Sequence, residues 1–338
     1  MNRIDVLPDE VLLQAFYFYV DMSLSDAGIK AWRSLIHVCR RWRSLVLASP
    51  RHLNLRLVCT PETPPKDTLD IWPTIPLIVR SRGTFVLSSM DNVIVALGQS
   101  NRVCQVLFLD LTGQQLEEVL AAMQVPFPEL TELQLRSEPS DDETQPVIPD
   151  SFLNGSAPRL RRFDLDNTPF PGLPKLLLSA THLEHLELSG IPHSGYISPE
   201  AMVALLSVLS NLTTLTLQFQ SPESFPDWES RSQPPPECFI LPALSNFNFK
   251  GITEYLEDFV AFIDAPQLDG MDVYFFSQIG FDCSRFAQFI NRTTILSRVN
   301  EAHVQFDDTT ASIKLLLQTS KLYDLQIHIS RGGLDLQL

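Results

Sequence analysis

The chain has 338 residues, 44% of them hydrophobic, which suits about two domains or one elongated domain at roughly 150 residues each. Its 25 basic and 40 acidic residues give a net charge of −15, which argues against nucleic acid or an anionic membrane as main partner, since both need a basic footprint. The charge is uneven: residues 1–60 hold eight Lys or Arg against five Asp or Glu, a net of +3, leaving −18 for the rest. A basic head on an acidic body fits two units with different partners, and a few solvated helix-face arginines would give the same sum.

The five cysteines stand singly, without a CxxC pair, and read as reduced thiols of a cytosolic or nuclear protein. Asp5, Asp9 and Glu10 precede the first apolar run, unlike a signal peptide, and no apolar run approaches the roughly 20 residues of a membrane span.

At the start of the chain, Leu7, Val11, Leu12 and Phe16 of "LPDEVLLQAF" share one face of a helix that Pro8 begins, with Asp9 and Glu10 in its first turn. In "WRSLIHVCRRWRSL", Trp32, Leu35, Ile36, Cys39, Trp42 and Val46 make a second apolar stripe, and Arg40, Arg41 and Arg43 take the solvated side. So few residues barely bury a core, so this segment gains from a partner. A junction follows over 59–98: "TPETPPK" as an extended linker, "IPLIVRSRGTFVLSS" with strand character, and "DNVIVALGQSNR" as a short helix.

From Val103 onward one phrase returns nine times, apolar-x-x-apolar-x-apolar: "VCQVLF", "LTELQL", "LRRFDL", "LEHLEL", "LTTLTL", "LSNFNF", "LDGMDV", "VNEAHV" and "LYDLQI". Its last three positions alternate as in a strand, and the repeats start 23 to 32 residues apart. Helical periodicity fills the gaps in "GQQLEEVLAAM", "PEAMVALLSVLSN" with its Ser198-Pro199 start, "YLEDFVAFI", "CSRFAQFI" and "TTASIKLLLQ". Proline before several strands ends the preceding helix. The competing reading is an ordinary Leu-rich α/β domain, which nine recurrences disfavour. The loops 137–150 and 220–237 are polar and Pro-rich, and are expected to be solvated excursions.

This phrase resembles the leucine-rich repeat in its irregular version. The turn position usually held by Asn or Cys is instead Glu138, Thr168, Ile191, Gln220, Ile252 or Phe276, so a regular ladder of buried asparagines is not expected. The N-terminal stretch resembles an F-box: Leu7-Pro8, Glu10-Val11-Leu12, Phe16 and Val38-Cys39-Arg40-Arg41-Trp42 match the family's pattern, and "SPRHLNLRL" resembles its ending. The aromatic run "FYFYVDM" departs from it. Together the resemblances imply an α/β chain with a small helical F-box over 4–58, the junction, and over 99–338 an irregular leucine-rich-repeat solenoid with a parallel β-sheet on its concave face.

The function implied is that of a non-catalytic substrate-recognition subunit of a cullin-RING (SCF) E3 ubiquitin ligase. The F-box would dock a Skp-family adaptor, and through it the cullin, by Leu7, Pro8, Val11, Leu12, Phe16, Leu35, Val38, Cys39 and Trp42. The repeats would bind a protein substrate of unknown identity. The alternative is a repeat scaffold without a ligase role, whose N-terminal helices only cap the solenoid.

The residues themselves show no enzyme: there is no phosphate loop, dinucleotide fingerprint or HExxH helix, and His182 and His185 of "HLEH" fall in a strand phrase rather than a metal site. No cofactor is expected. Strand alternation turns Arg136, Asp164, Asp166, Glu187, Gln218, Lys250 and Tyr274 outward onto the sheet face, where the acids suggest a basic peptide or protein.

Overall fold

A computed structural model describes residues 7–21, 31–64, 69, 70, 72, 75–81, 90–138, 146–169, 175–225, 238–276, 284–293, 301–306, 310–316 and 324–330; for Asp21, Lys175 and everything from 301 onward it describes the backbone alone. The chain divides into two compact units, one of residues 1–108 with 127–130, the other of 109–126 with 131–338.

The first unit opens with three helices, α1 (Asp9–Asp21), α2 (Trp32–Ile36) and α3 (Arg40–Ala48). The sequence pattern implied one stripe from Trp32 to Val46, but the helix breaks at Cys39. That residue is extended (φ −158°, ψ 170°), and its Sγ accepts the Trp42 N–H at 3.5 Å, so it starts a new helix as an N-cap. Strands β1 (Leu57–Cys59) and β2 (Leu77–Ser81), the helix α4 (Asp91–Leu97) and β3 (Val103–Leu111) follow, and β1, β2 and β3 pair in parallel. The short helix of the junction and a strand in the first part of "IPLIVRSRGTFVLSS" are therefore observed, while residues 82–89 lie outside the described residues. β1 was not expected; the alternation of Leu53, Leu55 and Leu57, all buried, was its signal.

In the second unit α5 (Gly113–Ala122), β4 (Glu132–Ser137), β5 (Arg162–Asp166), α6 (Lys175–Ser179), β6 (His185–Ile191), α7 (Pro199–Leu206) and β7 (Thr214–Phe219) run in chain order. After them come β8 (Phe239–Ile240), β9 (Asn246–Gly251), α8 (Thr253–Phe262), β10 (Ile263–Asp264), β11 (Gly270–Phe275), α9 (Ser284–Arg292), β12 (Glu301–Phe306), β13 (Thr310–Leu316) and β14 (Asp324–Ser330). All nine sequence phrases are strands. From β4 the main sheet runs β5, β6, β7, β9, β11, β14, β13, β12, parallel as far as β14. Such an α/β arrangement is compatible with a solenoid.

Register explains why the phrase recurs. Leu133, Phe163, Leu186, Leu215, Phe247 and Met271 form one cross-strand row, and Leu135, Leu165, Leu188, Leu217, Phe249 and Val273 the next, all of them buried. A one-residue slip of any strand would exchange this apolar row for polar side chains, so the pairing is strongly specified. The helices close the core: Ser198 caps α7 with Pro199 at its first position, as the sequence indicated, and Thr112 and Gln115 form a capping box on α5. Tyr255 of α8 is buried among Phe219, Phe225 and Phe249, and its hydroxyl donates to the Ile197 carbonyl at 3.0 Å.

Two expectations fail at the end of the chain. "TTASIKLLLQ" is not a helix but β13, antiparallel to both β12 and β14. Its Ala311, Ile313 and Leu315 alternate with Ser312 and Lys314, a period that serves a strand once neighbouring strands supply the hydrogen bonds. The parallel sheet expected of the repeats also ends there, because β13 runs antiparallel to both neighbours and β14 rather than β12 pairs with β11.

The two polar loops fall partly outside the described residues, at 139–145 and 226–237. Their described parts are not simply solvated: Ile148 and Phe225 are buried, the latter against Phe219 at 4.3 Å between ring centres.

Candidate functional site: a helical corner and a polar sheet face

In the first unit, Arg41 and the Phe16–Trp42 ring pair join the two motifs of the N-terminal stretch, and Arg43 ties the second motif to itself. Arg41 donates from Nη2 to the Leu7 carbonyl at 2.6 Å and to Asp9 at 2.5 Å, and from Nε to Asp9 at 3.0 Å. Arg43 donates from Nε to the Ile36 carbonyl at 3.0 Å, spanning the break between α2 and α3. The Phe16 and Trp42 rings meet at 4.6 Å. Arg41 and Arg43 are thus structural ties, not members of a purely solvated side, and the Leu7 end of α1 stands beside the turn that carries Val38 and Cys39.

The nine residues expected to face a partner separate into two groups. Leu7, Pro8, Val11 and Val38 are exposed, Val11 at 49% and Val38 at 58%. Leu12, Phe16 and Leu35 are buried and hold the three helices together, so they cannot themselves touch a partner while the helices stay packed. Cys39 and Trp42 are half-buried, Cys39 as the cap and Trp42 as the lid on Phe16. One turn of α1 therefore sends Leu12 inward and leaves Leu7 and Val11 to solvent.

In the second unit the outward strand residues line up across strands. Gln134, Asp164, Glu187, Thr216, Asn248 and Asp272 form one row; Arg136 and Asp166 form the start of another, and Gln218, Lys250 and Tyr274 its far part. Asp164 and Thr216 are exceptions to outward exposure, both buried, Asp164 only 7% exposed and Thr216 5%.

Charges concentrate over β4, β5 and β6. Arg136 Nε meets Asp166 at 2.9 Å, while Arg162 stands 3.7 Å from Glu187 and 3.8 Å from both Glu132 and Asp164. Burial, followed by the negative charge of Glu187, pushes the Asp164 carboxyl up to about 6, with Asp166 adding to this and Arg162 and Arg136 opposing it. Asp166 is raised as well, mainly by burial and further by Asp110, with Arg136 opposing. Sequence reasoning missed Arg162 and Glu132, although extending the alternation one step back from Phe163 and Leu133 finds both.

The ends of these strands are tied by Asn167. In a left-handed conformation (φ 52°), it donates its backbone N–H to the Ser189 carbonyl at 3.0 Å and its Nδ2 to the Ser137 carbonyl at 3.3 Å, while Ser137 Oγ donates to the Asn167 carbonyl at 2.6 Å. An asparagine thus bridges the turns, one residue before the Thr168 position where the repeat pattern looks for it.

The chemistry available is recognition by charge and hydrogen bond. Among the described residues no group of three His, Cys, Asp or Glu is placed to hold a metal ion, and no helix is long and apolar enough to cross a membrane. Burial pushes the Cys59 thiol up to about 11, against the opposing charge of Arg102, which leaves it a poor nucleophile at neutral pH. Comparison with protein-family models, curated proteins and solved structures finds no match to the chain.

Proposed function

We propose that this chain is the substrate-receptor subunit of a cullin-RING ubiquitin ligase, its N-terminal helices docking a Skp-family adaptor and its strand repeats holding a protein substrate. The observation that carries the reading is the helical corner. Leu7, Pro8, Val11 and Val38 leave their apolar surface in solvent while Leu12, Phe16 and Leu35 pack beneath, so the pattern "LPDEV" with "VCRRW" is divided into a support and a presented surface. Apolar anchors on a helix, with Arg40 and Glu10 exposed beside them, suit a helix-in-groove interface.

The test is co-purification of the full chain with a Skp-family adaptor. Wild type should retain it; Val11→Asp with Val38→Asp should lose it with an unchanged melting temperature, since both sites are solvated. Phe16→Ala should instead lower stability by about 3–5 kcal/mol through loss of a buried ring. A wild-type chain that captures no adaptor overturns the reading.

A second reading, in which the helices only cap the sheet, is favoured by one contact: Trp32 Nε1 donates to the Arg56 carbonyl at 3.1 Å, one residue before β1. Removing residues 1–50 separates the two. Aggregation or unfolding of the remainder, with no adaptor capture by the intact chain, supports capping.

A further inference from the structure

We propose that the polar face over β4, β5 and β6 binds an arginine- or lysine-rich segment of a protein partner. The inference deepens the proposed function and rests on it in one respect: on that reading the basic segment belongs to the substrate.

The face carries more carboxylates than cations. Glu132, Asp164, Asp166 and Glu187 share two guanidinium groups, those of Arg136 and Arg162, and Asp110 adds its negative charge beside Asp166. Arg136 is committed to Asp166 at 2.9 Å. Arg162 stands 3.7–3.8 Å from three carboxylates at once, too far for a hydrogen bond to any of them, and its Nε is buried without a partner.

Asp164 is the second, independent sign. Its side chain is only 10% exposed, yet among the described residues its carboxylate accepts no hydrogen bond; its one ion-pair contact is Arg162 at 3.8 Å, and Arg136 acts on it only through the longer-range field. A nine-tenths-buried carboxylate left so is costly unless something supplies donors.

Asp164 and Glu187 sit opposite each other on adjacent parallel strands, with Gln134 on the other side in the same row. Neighbouring strands lie about 4.8 Å apart, a span one guanidinium or ammonium can bridge by donating to both carboxylates. Arginine fits best, because its planar fork offers several donors and is weakly hydrated. A polyanion is repelled by the same charges, and a partner segment of alternating charge gains less than a purely basic one.

The probe is a fluorescent Gly-Ser peptide carrying several arginines, titrated into the full chain, with a glutamate-bearing peptide of equal length as reference. The arginine peptide should bind and weaken as salt rises, and the glutamate peptide should not bind. Asp164→Asn and Glu187→Gln should each weaken binding on the order of tenfold, the loss of one charge-assisted contact. Glu187, half-exposed, covers the chance that Asp164→Asn alters the fold locally. Glu118→Gln, on the solvated side of α5, should leave binding unchanged.

Equal binding of the two peptides, or a loss in Glu118→Gln matching that in Asp164→Asn, overturns the proposal, because attraction is then diffuse. The assay needs no adaptor. A chain that captures the adaptor but ignores the arginine peptide refutes this inference alone; one that binds the peptide at Asp164 but captures no adaptor refutes only the ligase reading.

Discussion

Replacing Asp164 by asparagine should make the protein more stable at neutral pH and leave it unchanged near pH 4. The carboxyl sits at about 6 in the folded chain against an ordinary value of 3.8, because burial and Glu187 outweigh Arg162 and Arg136. A group raised on folding binds its proton more tightly in the native state, so its stabilising contribution is complete below 3.8 and is lost as pH rises through about 6. Two pKa units at 1.36 kcal/mol each set an upper bound near 3 kcal/mol, and solvent at the face together with movement of Arg162 reduce this to about 1–2 kcal/mol. Asparagine keeps the shape and carries no charge. Melting temperatures of wild type and Asp164→Asn should therefore coincide near pH 4 and separate by roughly 3–6 °C at pH 7.5, the variant higher. Parallel curves across that range would refute the claim that Asp164 is an uncompensated buried carboxylate, and a lower melting temperature for the variant at pH 7.5 would show that Arg162 holds it more firmly than the 3.8 Å separation implies.

Two further substitutions probe the scaffold. Gly190 has φ +59°, and a Cβ there would stand 2.1 Å from Asn167 Oδ1, so Gly190→Ala should cost about 2–3 kcal/mol through backbone strain and a displaced asparagine, read as a lower melting temperature. Glu257 accepts the backbone N–H groups of Arg285 at 2.8 Å and Phe286 at 2.7 Å, at the start of α9; Glu257→Ala should remove about 1–2 kcal/mol locally and raise amide exchange over 284–292, and unchanged exchange there would disprove the capping role.

The strand phrases were legible because each carries its own evidence: an apolar residue at every second position is meaningful within six residues, whatever surrounds it. The same locality misled at "TTASIKLLLQ", where helical and strand periods both fit and the neighbours β12 and β14 decided. Cys39 shows another limit. A stripe from Trp32 to Val46 is continuous on paper, and only the extended backbone of Cys39 reveals that two helices share it. Among the candidate contact residues, apolar spacing could not tell Leu12, Phe16 and Leu35 from Leu7, Val11 and Val38, since a helix pattern marks an apolar face without saying which part of it a neighbouring helix covers.

By itself, then, the amino-acid order determined the nine strands of the recurring phrase and where α5 and α7 begin, since these depend on side-chain period and capping within a few residues. Tertiary structure decided the neighbours: that β14 pairs with β11, that Arg41 joins Asp9 and the Leu7 carbonyl, and that Arg162 is shared among three carboxylates from three strands. Apart from the Arg162–Asp164 pair within one strand, each of these joins residues 20 to 55 positions apart, set side by side only by register and packing. No local pattern encodes such a distance, and packing of the whole chain supplies it.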